Sequence, residues 1–227
     1  MTKNVLLATA AFAIVSAAAM PAVAGTWSGI YLGGNAGGMW GTVDTTRVND
    51  TIALYPNTPT TLDFSPSGVF GGGQIGYNYQ MSSWVFGVDV AGDFTDFNES
   101  LVRAGDSETV NSDWNASASL RAGYAFNYGA LVYLKGGYTL ANLKHSWLDS
   151  GGAVSFSDSK TVNGWIGAAG YEYAISSDVS VGLEYSYADY GNDTFDAAAV
   201  GALGTAQHDI QTKIQTVSAR VNWHFNP

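Results

Sequence analysis

Cysteine is absent from this sequence, so neither a disulfide framework nor a thiolate metal centre is open to it. Charge is scarce too: Asp, Glu, Lys and Arg make up 12% of the 227 residues, about half the ~25% of an ordinary soluble domain. Bases are the scarcest, 9 against 19 acids. A net charge of −10 does not supply the clustered cations that nucleic acid requires, so no nucleic-acid partner is expected. Beyond the first two dozen residues, no run reaches the ~18 apolar residues of a spanning helix. Histidine occurs only at His145, His208 and His224, without paired-ligand or Ser–His–acid spacing. Neither a metal site nor a hydrolase is therefore expected, and no cofactor. The Gly-rich stretch 68–76 opens no helix that would cradle a phosphate.

What is present begins with a leader. Residues 1–24 carry Lys3, an apolar stretch from Val5 to about Ala19, Pro21 and the triplet Ala22-Val23-Ala24. That pattern predicts a secretory signal cleaved before Gly25, leaving 25–227 as one exported domain. The remainder alternates with period two. In 179–190, Val179, Val181, Leu183, Tyr185 and Tyr187 share one face, with Ser180, Gly182, Glu184 and Ser186 on the other. Eight such strands are expected, at about 27–43, 67–80, 84–98, 112–126, 130–146, 162–174, 179–190 and 211–225.

The connections alternate strictly between short (81–83, 127–129, 175–178) and long and polar (44–66, 99–111, 147–161, 191–210). All long loops therefore leave one end. A repeat supports this: Gly-Tyr pairs begin at Gly76, Gly123 and Gly170, each just before a tight turn. Consecutive antiparallel strands make a meander, and closing it removes both edges. The expectation is an all-β, eight-stranded antiparallel up-and-down barrel.

Whether such a barrel lives in water or in lipid is decided by its polar face. A soluble exterior would be rich in Lys and Glu; this face is mostly Gly, Ser, Ala and Asn, residues suited to a crowded interior. The apolar face also gathers aromatics near the tight turns: Tyr77, Tyr79, Trp84, Tyr124, Phe126, Tyr171, Tyr173, Trp223 and Phe225. Such a ring is expected at a membrane–water boundary, here on the periplasmic side. A transmembrane barrel follows as the expectation. Its few strand charges then belong inside, because Lys135 facing lipid at mid-depth would cost roughly 2–4 kcal/mol. Counting about five residues in from the turns reaches Asp89, Arg121, Lys135, Glu184 and Arg220, with Glu172 slightly nearer the turns. The expected pairs are Asp89 with Arg121, Glu184 with Arg220, and Lys135 with Glu172.

Several segments together resemble a known group. "WSGIYLGGNAGGMWG" (27–41), "VFGGGQIGYNYQ" (69–80), "LRAGYAF" (120–126), "LVYLKGGY" (131–138), "GWIGAAGYEYAISSDVSVGLEYSYADYG" (164–191) and "VSARVNWHF" (217–225) are similar to small outer-membrane proteins of alphaproteobacteria. This is the RopB-like branch of the OmpA-like and opacity-type barrels, often labelled a porin family. The resemblance implies a cell outer-membrane barrel, a surface antigen contributing to envelope integrity. It also implies insertion by the barrel-assembly machinery, among outer-membrane lipid and lipopolysaccharide. The family closes on an aromatic residue, whereas Asn226 and Pro227 here follow Phe225. Two alternatives stand beside this expectation: a small diffusion channel, or ligand capture by acidic loops carrying residues such as Asp50, Asp106 and Asp196.

Overall fold

The computed structural model describes residues 27–50, 61–103, 106–127, 129–148, 155–197 and 206–225. The leader expected over 1–24 lies outside them. The elements are β1 (Gly29–Asp50), β2 (Thr61–Phe64), β3 (Ser67–Met81), β4 (Trp84–Arg103), β5 (Asp106–Ala125), β6 (Ala130–Leu148), β7 (Ser155–Ala174), β8 (Val179–Ala197) and β9 (Ala206–Phe225). Each strand pairs antiparallel with its neighbour, and β1 pairs with β9 to close the barrel. Eight strands form the wall. The short β2 continues the line of β3 along β1 beyond a break at Ser65-Pro66. Pro66 has no N–H to give the ladder, yet its carbonyl still accepts from Gly41 N at 2.9 Å.

The register fixes the tilt. Following rungs from Tyr31 through Gly76, Asp89, Ser119, Gly137, Ile166, Ala188 and Ile214 returns to β1 at Gly41, ten residues further along. Ten residues of ~3.3 Å rise against eight strands ~4.8 Å apart give a tilt of about 40°, so each residue climbs roughly 2.5 Å along the barrel axis.

Alternation sets the two faces. Ile75, Val88, Val90, Leu120, Leu134 and Leu183 point outward and exposed, while Gln74, Asp89, Arg121, Thr139 and Asn222 are buried in the bore. The expected aromatic ring lies on the outer face, with Tyr173 half-buried there. Its residues fall in a band roughly 11 Å tall by the same rise. A second outward set, Trp40, Phe94, Tyr138 and Trp165, lies roughly 20 Å higher. Two belts at that spacing bracket the ~25 Å apolar band of a membrane barrel.

The strands outrun the expected limits at the far end. Residues 99–103 and 106–111, within the expected loop, continue the β4–β5 ladder up to Arg103↔Asp106. β6–β7 continues to Leu148↔Ser155 and β1–β9 to Asp50↔Ala206. Above the lipid neither face has to be apolar, so alternation stops marking a strand while backbone pairing goes on. The tight turns match expectation, with Ser82 (φ 58°) and Gly129 (φ 79°) in left-handed conformations.

Candidate functional site

The bore is crossed by a layer of charge. Arg121, on β5, bonds Glu172 of β7. Lys135 on β6 reaches both Asp89 (2.8 Å) and Glu184 (2.9 Å), and Arg220 on β9 binds Asp89 (2.9 Å) and Glu184. None of these six side chains is more than 10% exposed. By the register, Asp89, Lys135, Glu184 and Arg220 share one level within roughly 3 Å, midway between the two aromatic belts. Arg121 and Glu172 sit roughly 3 and 7 Å nearer the tight turns.

Of the three expected pairs, Glu184 with Arg220 forms. Asp89 does not bind Arg121, and Lys135 does not bind Glu172; Arg121 takes Glu172, and Lys135 takes Asp89 and Glu184. The expectation assumed that adjacent strands supply the partners. In a narrow bore, inward side chains converge on the axis, and long ones meet across an intervening strand. Arg121 and Lys135 are themselves direct cross-strand partners. Like charges side by side must each find an acid elsewhere.

Neutral groups complete the layer. Tyr31 Oη donates to Asp89 Oδ2 (2.5 Å), and Tyr133 Oη donates to Glu184 Oε2 (2.7 Å). Glu172 Oε1 accepts from Ser180 Oγ (2.5 Å) and Asn222 Nδ2 (2.8 Å). Each carboxylate thus has two or more donors besides one cation, which offsets the cost of keeping it out of water. The Arg121 guanidinium also lies over the Tyr133 ring, 3.7 Å from its centre. Alternation alone does not single out the two tyrosines. The signal is the glycine opposite each: Tyr31 pairs with Gly76 and Tyr133 with Gly170, and each ring occupies the space a Cβ there would fill. Two of the three recurrent Gly-Tyr pairs, those at Gly76 and Gly170, therefore begin with slots for inward rings.

Ser180, His224 and Glu172 also converge, although their spacing gave no such sign. Ser180 Oγ lies 2.8 Å from His224 Nε2, and Glu172 Oε1 lies 3.5 Å from that same nitrogen. A hydrolytic relay needs its acid on the other ring nitrogen and an open serine. Here Ser180 is fully buried and donates to Glu172.

Above the charge layer the inner wall turns apolar. Met39, Ala141, Leu143, Val162, Ala188, Tyr190 and Ile214 form a buried cluster facing inward. Between it and Lys135, Glu184 and Arg220 lies a cavity of about 60 Å³.

A lipid-facing apolar wall between aromatic belts, around a self-neutralised polar bore, defines an integral outer-membrane β-barrel. The chain belongs to the family described as the outer membrane protein beta-barrel domain, whose profile matches residues 7–225. It is 31% identical over 200 residues to the 31 kDa outer-membrane immunogenic protein of Brucella melitensis, covering 81% of each chain. It is 30% identical over 175 residues to the 22 kDa outer membrane protein of Rhizobium leguminosarum, covering 76% of this chain and 69% of that one. Among solved structures, the outer membrane protease OmpT from Escherichia coli superposes with a TM-score of 0.54 at 10% identity, over 87% of this chain and 97% of that one. That likeness speaks for the fold alone.

Proposed function

We propose that this chain is a structural and surface protein of the outer membrane, neither catalytic nor conducting, that contributes to envelope integrity. The observation that carries this reading is the charge layer, which fills the bore midway between the belts with side chains at most 10% exposed. An eight-stranded barrel leaves an interior about filled by side chains, and five ion pairs across it support a bore without open conduction. The barrel then anchors the long connections at the surface. Outer-membrane lipid and lipopolysaccharide are its surroundings, and the assembly machinery its partner during insertion. The names of the Brucella relatives support exposed antigenic loops.

Purified protein in a planar bilayer tests this reading against a channel. The expected result is no stable conductance. Reproducible conductance across independent preparations overturns it and makes a small porin the better description.

A further inference from the structure

Above one height the wall has a slit in the sense of an unpaired seam, where two neighbouring strands stop pairing. Among the described residues, the β7–β8 ladder ends at Trp165↔Asp189, whereas β6–β7 continues to Leu148↔Ser155 and β8–β9 to Ala197↔Ala206. A bulge between Asp189 and Asn192 shifts the β8–β9 register at that point. Gly191 adopts φ 69° there, its N–H held by Asp189 Oδ1 at 2.9 Å. A left-handed residue of this kind is easy for glycine and strained for others. Trp165, on the last rung, belongs to the upper aromatic belt, so the slit starts where the outer-leaflet hydrocarbon meets its headgroups.

The inner wall behind the slit is lopsided. The buried apolar cluster is drawn from β1, β6, β7, β8 and β9, with Phe70 of β3 packed against it; β4 and β5 contribute none of it. Across the cavity those two strands present mainly polar groups, Asp93, Ser112, Asn115 and Ser117, beside the small Ala91. A stopper that only sealed the mouth would be apolar all round. This wall is apolar where it borders the slit and polar opposite.

We propose that the slit admits one hydrocarbon chain of an outer-leaflet lipid into the upper bore, where Ile166, Ala188, Tyr190 and Ile214 receive it. The occupant follows from position: the foot of the slit sits at the upper edge of the outer-leaflet hydrocarbon, within reach of a lipid chain, and the charge layer crosses the bore beneath. Burying a chain against this wall is favourable at about 25 cal/mol per Å². The headgroup stays outside, because anionic groups meet Asp93 and a chain whose net charge is −10.

The absence of cysteine makes the test clean. Asn163→Cys and Asn192→Cys, both exposed and on either side of the slit, are joined with a short bismaleimide in the full barrel. The protein is reconstituted in vesicles containing a phospholipid with a diazirine at the chain end. After photolysis, adducts are mapped by mass spectrometry. The unclamped barrel carries adducts on inward Ile166 or Ile214, and clamping lowers them several-fold while adducts on outward Leu120 stay constant. Ala188→Phe, which fills the entrance, lowers the inward adducts in the same way by an independent route. Adducts confined to outward residues before clamping overturn the proposal. Inward adducts that clamping leaves undiminished overturn it too, because they report entry from the aqueous mouth. Neither result bears on conduction, which the bilayer measurement reads separately.

Discussion

Arg121 and Lys135 stand side by side on neighbouring strands, yet their removal should have unequal consequences. Arg121 is the one Lys or Arg found on Glu172 among the described residues, whereas Asp89 and Glu184 each keep Arg220 if Lys135 is lost. Arg121→Met strands a buried carboxylate and should cost about 3–5 kcal/mol. Lys135→Met should cost on the order of 1–3 kcal/mol, as a charged hydrogen bond does. Urea titration of the barrel in lipid vesicles measures both, and equal losses would contradict this network. Glu184→Gln and Arg220→Met should each destabilise. Their double mutant should recover much of the deficit, because Asp89 and Lys135 remain a neutral pair at 2.8 Å. Simple additivity of the two losses would dissolve the partnership.

At the scale of the strand, the inward glycines decide how closely neighbours and rings approach. A Cβ on Gly170 of β7 would collide with the Tyr133 ring from β6. Gly170→Val should therefore displace that ring from Glu184 and from beneath Arg121. The expected cost is about 1–3 kcal/mol, the usual range for overpacking. Pairing the substitution with Tyr133→Ala, which empties the slot, should lose less than the sum of the two singles in the same titration. Bulges act at this scale as well. Those after Phe94, Ser112 and Asp189 all lie near the upper belt, where the closed barrel gives way to hairpins that pair on fewer sides.

For the whole molecule, orientation follows from the sorting of connections to opposite ends. Barrels of this class carry their longer loops outside the cell. An epitope inserted near Asn57 or Ala198 should be labelled on intact cells, and one near Ser82 should not. Labelling at Ser82 alone would invert the topology. A closed ladder of eight long strands should also resist detergent, so unboiled and boiled samples should migrate differently on a gel. Migration that heating leaves unchanged would contradict a stable closed barrel.

Local sequence sets the faces, the strand count and the six charges of the mid-depth layer, though not the inward Asp93 above it. Those follow from the two-residue period of a strand and from where turns fall, both local properties. Lys135 could be assigned to the bore because its own strand is apolar on the other face. Who pairs with whom was decided by tertiary structure, because the ten-residue stagger moves every strand against its neighbour and the narrow bore brings side chains together across intervening strands. That is why Arg121 faces Glu172 instead of Asp89. The hairpin rungs beyond the lipid were equally hidden, since backbone hydrogen bonds need no alternating side chains. The inward apolar cluster is not legible in any one strand for a related reason. Met39, Val162 and Ile214 lie on three different strands, and only closure of the barrel gathers them.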